Sequence, residues 1–402
     1  MFQRIYAKTP AADRNQVYNN LDLAFAIVSR LVELLFFFLV ILRLGPYLYR
    51  TILVRIPNIG GYLIVVVILV ILGSLLIGLI AVFRSNLDSA FGLDPRPLSR
   101  SMGEKILRWG LFAPYLILAT ALAFLSLQVF QVVFWAILYL LLIWLGLFVV
   151  AIIQGPRLPG ADKLRDPTAG EIPSGLERYD FFFPKNKFIP RENYKVSTLF
   201  TKGLVPPYVA GKTLVIPEKA LSSFTPDALK ARILMALLYY VISARRNVLG
   251  FRTIGLALAV PSALVLLNSV GLWLGHNLLV PRDPALIGFL WLATWLAFWF
   301  SEFLTLFVIR QLDYRVSATV AALTLDAQGL FLSVEVMARY NLDPMEETPI
   351  RDIFRARPSP LTQLKHIRDT IKEMAAAAAR RKSKKEDKEA QKSAQDEENG
   401  DL

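Results

Sequence analysis

The sequence predicts an α-helical polytopic membrane protein of about six transmembrane helices with a small α+β cytoplasmic domain. Three features lead there. Of the 402 residues, 55% are hydrophobic, above the roughly 45–50% usual in soluble domains. Several uninterrupted apolar runs reach the roughly 20 residues that one bilayer crossing needs. Between two groups of such runs, from Gln154 to about Arg252, the chain turns polar and rich in Pro and Gly.

The opening stretch, MFQRIYAKTPAADRNQVYNNLD, lacks a short apolar core followed by a small-residue cleavage site, so no cleavable signal peptide is expected. The first apolar run, Leu23 to Leu42, contains Arg30 and Glu33, three residues apart and able to face each other on a helix. They read either as an intramembrane ion pair facing other helices or, more simply, as interface charges on a span that begins nearer Leu31. The second span, Gly61 to Phe83, is free of charge and ends at Arg84. The stretch from Trp109 to Ile153 is roughly twice the length of one crossing. It therefore folds as a helical hairpin, turning near Ser126 to Gln131. A second hairpin joins Ile254–Gly275 to a span from Pro284 to about Ile309 through the loop HNLLVPRD.

Inside the polar insert, KTLVIP (residues 212–217) has the β-branched, apolar content of a strand. A helix begins after it: Thr225 can cap, Pro226 takes the first helical position and Asp227 lies in the first turn. Beyond Arg232 this helix is apolar on nearly every side and should be buried. The last span continues into QLDYRVSATVAALTLDAQGLFLSVEVMARYNLD, helical in period, with Asp326 placed to cap its second segment. An amphipathic helix follows Pro358, then a charged, Ala-rich tail too polar to fold alone. The expected division is an N-terminal membrane region over 1–153 and the first part of the domain over 154–252. A membrane hairpin (253–311), a helical completion of the domain (312–370) and the tail (371–402) complete it.

The net charge is +13. No basic face with interleaved aromatics occurs in a foldable soluble segment, so nucleic acid is not an expected partner. In a membrane protein such an excess marks cytoplasmic loops, and its distribution puts both termini and the domain in the cytoplasm. A prokaryotic inner membrane is favoured over an organelle. The expected partners are the lipid bilayer and other membrane proteins or polypeptide segments. There is no cysteine, and the two histidines, His276 and His366, lie far apart. That excludes disulfides, thiolate metal sites and a cysteine nucleophile. Neither a GxxxxGK[ST] phosphate loop nor a GxSxG elbow is present. Glu302, in FWFSEFLTLF, is an acid within a span. It either serves an ion pathway or pairs with a basic residue near the cytoplasmic end.

One ordering of elements is informative: GKTLVIPEKAL, a buried helix, a membrane hairpin, IRQLDYRVSATVAAL, DAQGLFLSVEVMARYN, then RPSPLTQLKHI. It resembles the HtpX-like membrane zinc metallopeptidases, related to the CAAX prenyl proteases, over about residues 205–370. The resemblance implies a metallopeptidase-like domain in which an HExxH helix and a later glutamate hold zinc. Four spans precede the matching region, where the family pattern implies two. The stretch matching HExxH reads Ala236-Leu237-Leu238-Tyr239-Tyr240. The first histidine position holds Ala236, the glutamate position Leu237 and the second histidine position Tyr240. Asp313 occupies the third ligand position, and Ser317 stands for the family's aspartate. A methyl, an isobutyl and a phenol cannot bind zinc or activate water in the way this chemistry needs. No metal or other cofactor is therefore expected.

The leading expectation is a non-catalytic pseudoprotease acting as a scaffold, adaptor or regulatory subunit of a membrane protein complex. Two other readings stay open: a channel or transporter subunit using Arg30, Glu33 or Glu302, and a hydrolase with an atypical site. The emptied groove is expected either to be filled by the protein's own aromatics or to take a partner strand along the Lys212–Pro217 edge.

Overall fold

The computed structural model describes residues 2–344 and 359–376, apart from 9, 11–12, 95–97, 131, 155–157, 200, 202, 271–272, 274–284, 325–326 and 374. The expectations placed on Asp326, on His276 and its loop, and on the tail beyond 376 fall outside the described residues.

The membrane half begins with α1 (Phe2–Lys8) and α2 (Arg14–Leu39). The second helix runs on to Leu53 through two π-helical turns, Val40–Leu44 and Tyr49–Leu53, that flank the short α3 (Gly45–Leu48) containing Pro46. A proline removes one backbone donor, and wider turns absorb the mismatch without ending the helix. Asn58 starts α4 (Ile59–Ala90) by accepting a hydrogen bond from the Gly61 amide at 3.1 Å. The expected hairpin is α5 (Leu98–Val129) and α6 (Val132–Gln154). Among the described residues, six segments are long and apolar enough to cross a membrane: Arg14–Leu53, Ile59–Ala90, Ile106–Leu127, Val133–Ile152, Arg246–Val270 and Ala285–Thr324.

The domain is built on a four-stranded sheet of order β1 (Leu164–Arg165), β2 (Tyr194–Ser197), β4 (Thr213–Pro217), β3 (Tyr208–Ala210). β4 pairs parallel to β2 and antiparallel to β3. The strand expected at an edge, within Lys212–Pro217, is therefore internal with both sides paired, and the sheet's edges are β1 and β3. The short α7 (Glu218–Ser223) leads to α8 (Pro226–Val241), whose cap is Thr225: its Oγ1 accepts from the Ala228 amide at 3.4 Å. As its composition requires, α8 is buried from Ala228 to Leu238 on most sides.

Sequence pattern alone carried that helix into ISARRN, but the chain breaks at Ser243, which takes a left-handed backbone (φ 54°). The fifth span thus starts early, as α9 (Ala244–Ala257), and continues through α10 (Ala259–Val265). The return helix α11 (Ala285–Thr324) is 40 residues long, about 60 Å. Its first turns lie in the membrane core with Phe124 and Trp135. Its last turns bring Val316, Val320 and Ala321 into the domain core with Ile233, Leu234, Leu330 of α12 (Ala327–Asn341) and Ile367 of a helix over 360–373. One rigid rod therefore fixes the domain to the membrane. A Cβ added to Gly255 would meet the Ser301 Cα at 2.7 Å, so α9 and α11 touch backbone to backbone.

Candidate functional site

Helices α8 and α11 cross so that Ala236, Tyr239 and Tyr240 line one cavity together with Asp313. The cavity measures about 1410 Å³. The edge of β3 lines it over residues 205–211, and Phe148, Ala151 and Ile152 from the end of α6 reach into it. It thus lies where membrane helices meet the domain, and its floor is not filled in by aromatics.

Of the three α8 positions that the resemblance assigns to the ligands and the base, two line the cavity and one does not. Ala236 is buried but lines it, and Tyr240 presents a phenol. Leu237 packs into the domain core instead. Asp313 is 6% exposed. Arg232, also buried and lining the same cavity, donates from Nη2 to the Ser333 carbonyl at 3.1 Å and from Nη1 to the Met235 sulfur at 3.8 Å. Ser317 is fully buried and accepts a hydrogen bond from Gln363 Nε2 of the terminal helix at 3.4 Å. His366 packs on the Tyr314 ring, with centroids 4.3 Å apart. On the cavity wall, burial pushes the Tyr208 phenol above its ordinary value, so it stays a neutral hydrogen-bonding group at physiological pH.

The donor set does not suit zinc. A tetrahedral site wants imidazole, thiolate or carboxylate donors converging on one point, whereas Ala236 offers a methyl and Tyr240 a phenol. No cluster of three His, Cys, Asp or Glu residues that could hold a metal occurs among the described residues. The structure thus brings Ala236, Tyr240 and Asp313 to one cavity, and sets Leu237 and Ser317 apart in the packed core.

Arg30, Glu33 and Glu302 converge elsewhere, between α2 and α11. Arg30 bridges Glu33 at 3.2 Å and Glu302 at 2.9 Å. The Trp295 indole donates to Glu33 at 2.7 Å. The Ser301 hydroxyl, next to Glu302, donates to the Arg252 carbonyl at 2.8 Å, which sets this layer near the domain end of the spans. Arg30 thus pairs with both Glu33 and Glu302.

Sequence reasoning missed the other wall of the cavity. Tyr18, Asn19, Asp22, Arg84 and Leu93 line it from the membrane half. Tyr18 donates to Asp88 at 2.8 Å, and Arg84 pairs with Asp22 at 2.8 Å. The available signal was RNQVYNNLD, a polar run periodic enough to continue the first span as helix. The edge strand was legible only as VPPYVA, where two prolines precede an apolar triplet.

Taken together, the spans, the strand-then-helix order and the hairpin between α8 and the Asp313 helix define a polytopic membrane protein of metallopeptidase-like fold. The chain superposes on the crystal structure of S. mikatae Ste24p with a TM-score of 0.59 and 14% identity, over 91% of this chain and 93% of that one. At this identity the likeness is one of fold. No protein-family model matches the chain, and no curated protein matches it significantly.

Proposed function

We propose that the chain is a pseudoprotease: a metallopeptidase fold that binds instead of hydrolysing, serving as a scaffold, adaptor or regulatory subunit of a membrane protein complex. The observation that carries this is the chemistry of three positions, Ala236, Leu237 and Tyr240, which the HtpX-like resemblance assigns to the ligands and the base. Fold does not dictate activity, and these side chains can neither hold zinc nor activate water. The cavity they leave mixes apolar and polar side chains and is bordered by the edge strand β3. That suits an extended polypeptide segment adding to β3 through main-chain hydrogen bonds. By the same proposal the domain and both termini lie in the cytoplasm of a prokaryotic inner membrane, the side to which the basic residues point.

The test is a photo-crosslinking amino acid at Tyr240 in native membranes. Reproducible capture of one other polypeptide, lost when β3 is interrupted by Val209→Pro, is the expected result. Crosslinks only within the chain would overturn the binding role of the cavity. Chelator-sensitive cleavage of any peptide by the purified protein would restore the hydrolase reading.

A further inference from the structure

The cavity wall is a seam between two bodies. On the membrane side stand Tyr18, Asn19, Asp22, Arg84 and Leu93; on the domain side Gly203, Leu204, Asn341 and Asp343. Two hydrogen bonds of 2.7 Å cross it: Asn19 Nδ2 donates to the Leu342 carbonyl, and the Gly203 amide donates to the Leu93 carbonyl. Asn341 clamps the domain side, its Oδ1 accepting from the Leu204 amide at 2.7 Å and its Nδ2 donating to the Leu204 carbonyl at 3.2 Å.

Three residues at this seam have left-handed backbones: Gly92 (φ 73°), Gly203 (φ 64°) and Leu342 (φ 55°). For the glycines this is ordinary. For a leucine it is strained, and such strain persists only where surrounding contacts enforce it. The end of α12 supplies that contact: the Asp343 amide donates to the Ala338 carbonyl at 2.9 Å, closing the last turn around a left-handed Leu342. This cap presents the Leu342 side chain, partly buried, to a small apolar cluster separate from both main cores, built on Tyr18, Leu87, Phe91 and Leu93. The other members of the cluster come from the N-terminal helices, the end of α4 and the turn after it, so Leu342 is a domain residue packed against the membrane half.

We propose that this seam is the gate of the cavity and that Leu342 is its latch. Closed, the plug and the two hydrogen bonds join the walls. Withdrawing Leu342 from the cluster parts the walls beside Ala236, Tyr240 and the β3 edge. The identity of the occupant as a polypeptide rests on the pseudoprotease reading, whereas the gate does not.

The cysteine-free sequence permits a direct test in full-length protein reconstituted in lipid nanodiscs. Ala236→Cys, a nearly isosteric change on the cavity floor, is reacted with N-ethylmaleimide. Adding Leu342→Gly, which removes the plug and tolerates the backbone, should speed the reaction about tenfold by raising the open population. Leu342→Ala should fall between. Val320→Ala loosens the domain core at a fully buried position that does not line the cavity, and should leave the rate within about twofold of the parent. A rate unchanged by both Leu342 variants would overturn the gate. So would an equal rise in Val320→Ala, because general loosening would then explain it. If Leu342→Gly speeds the reaction while Tyr240 captures no polypeptide, the gate stands and the binding reading falls.

Discussion

Two polar layers of this molecule have gone opposite ways. Between α2 and α11, where lipid makes charge expensive, Arg30, Glu33 and Glu302 are retained and held together at 2.9–3.2 Å. Between α8 and α11, at positions the family resemblance assigns to zinc ligands, the cavity carries a methyl (Ala236), a phenol (Tyr240) and one carboxylate (Asp313). The difference is one of partners. A charge persists at low dielectric when a neighbour compensates it. Ligand positions without their metal would leave unpaired polar groups facing each other, a costly arrangement that apolar substitution removes. The first layer staples helices, and the second has become a surface to pack against.

Restoring the donors should expose how much of the old geometry survives. Ala236→His with Tyr240→His places two imidazoles one turn apart on the cavity face, with Asp313 on the same cavity. The double variant should bind zinc with a Kd of about 1 μM or tighter, worth about 8 kcal/mol, read by calorimetry and lost on adding Asp313→Ala. Absence of binding would show that α8 and α11 do not hold the ligand positions in register, and would break the comparison.

A smaller effect should follow from breaking the retained layer. Arg30→Ala leaves two carboxylates facing each other near lipid and should cost about 2 kcal/mol in mixed-micelle unfolding. Arg30→Ala with Glu302→Gln should recover part of that loss, because the coupling is specific to the pair. If the single change costs nothing, the layer is ornamental and the contrast between the two regions fails.

The smallest effect lies in the domain. Glu171 accepts two 2.7 Å bonds from the Arg165 guanidinium and one from the Thr168 amide, which hold its carboxyl at about 2, below the ordinary 4.5. Its folded-state value is depressed, so its contribution is present above pH 4.5 and is lost as pH falls from there toward 2. Glu171→Gln should flatten that part of the domain's pH–stability profile while barely changing stability at neutral pH. An unaltered acid limb would mean other carboxylates carry it.

Much of this was legible in the sequence because membrane spans are written in runs: Gly61 to Phe83 and Trp109 to Ile153 have no other reading. The capped start of α8 at Thr225–Asp227 was legible for the same local reason. The break at Ser243 was not, because a left-handed residue between two helical stretches leaves no mark in hydropathy. The sheet order was also hidden, since strands as short as Leu164–Arg165 and Tyr208–Ala210 carry almost no pattern and their pairing is decided at long range. The emptied site could be read position by position only through the family resemblance. The opposite wall, from Tyr18 to Arg84, could not, because its residues meet the domain through contacts up to 323 positions apart in sequence.

The central claim is that this fold works without its metal, and elemental analysis of the purified full-length protein tests it most directly. The account predicts less than about 0.1 zinc per chain, with no donor set to retain more, whether or not chelator is present during purification. About one zinc per chain, lost on Asp313→Ala, would contradict it and return the molecule to the enzymes.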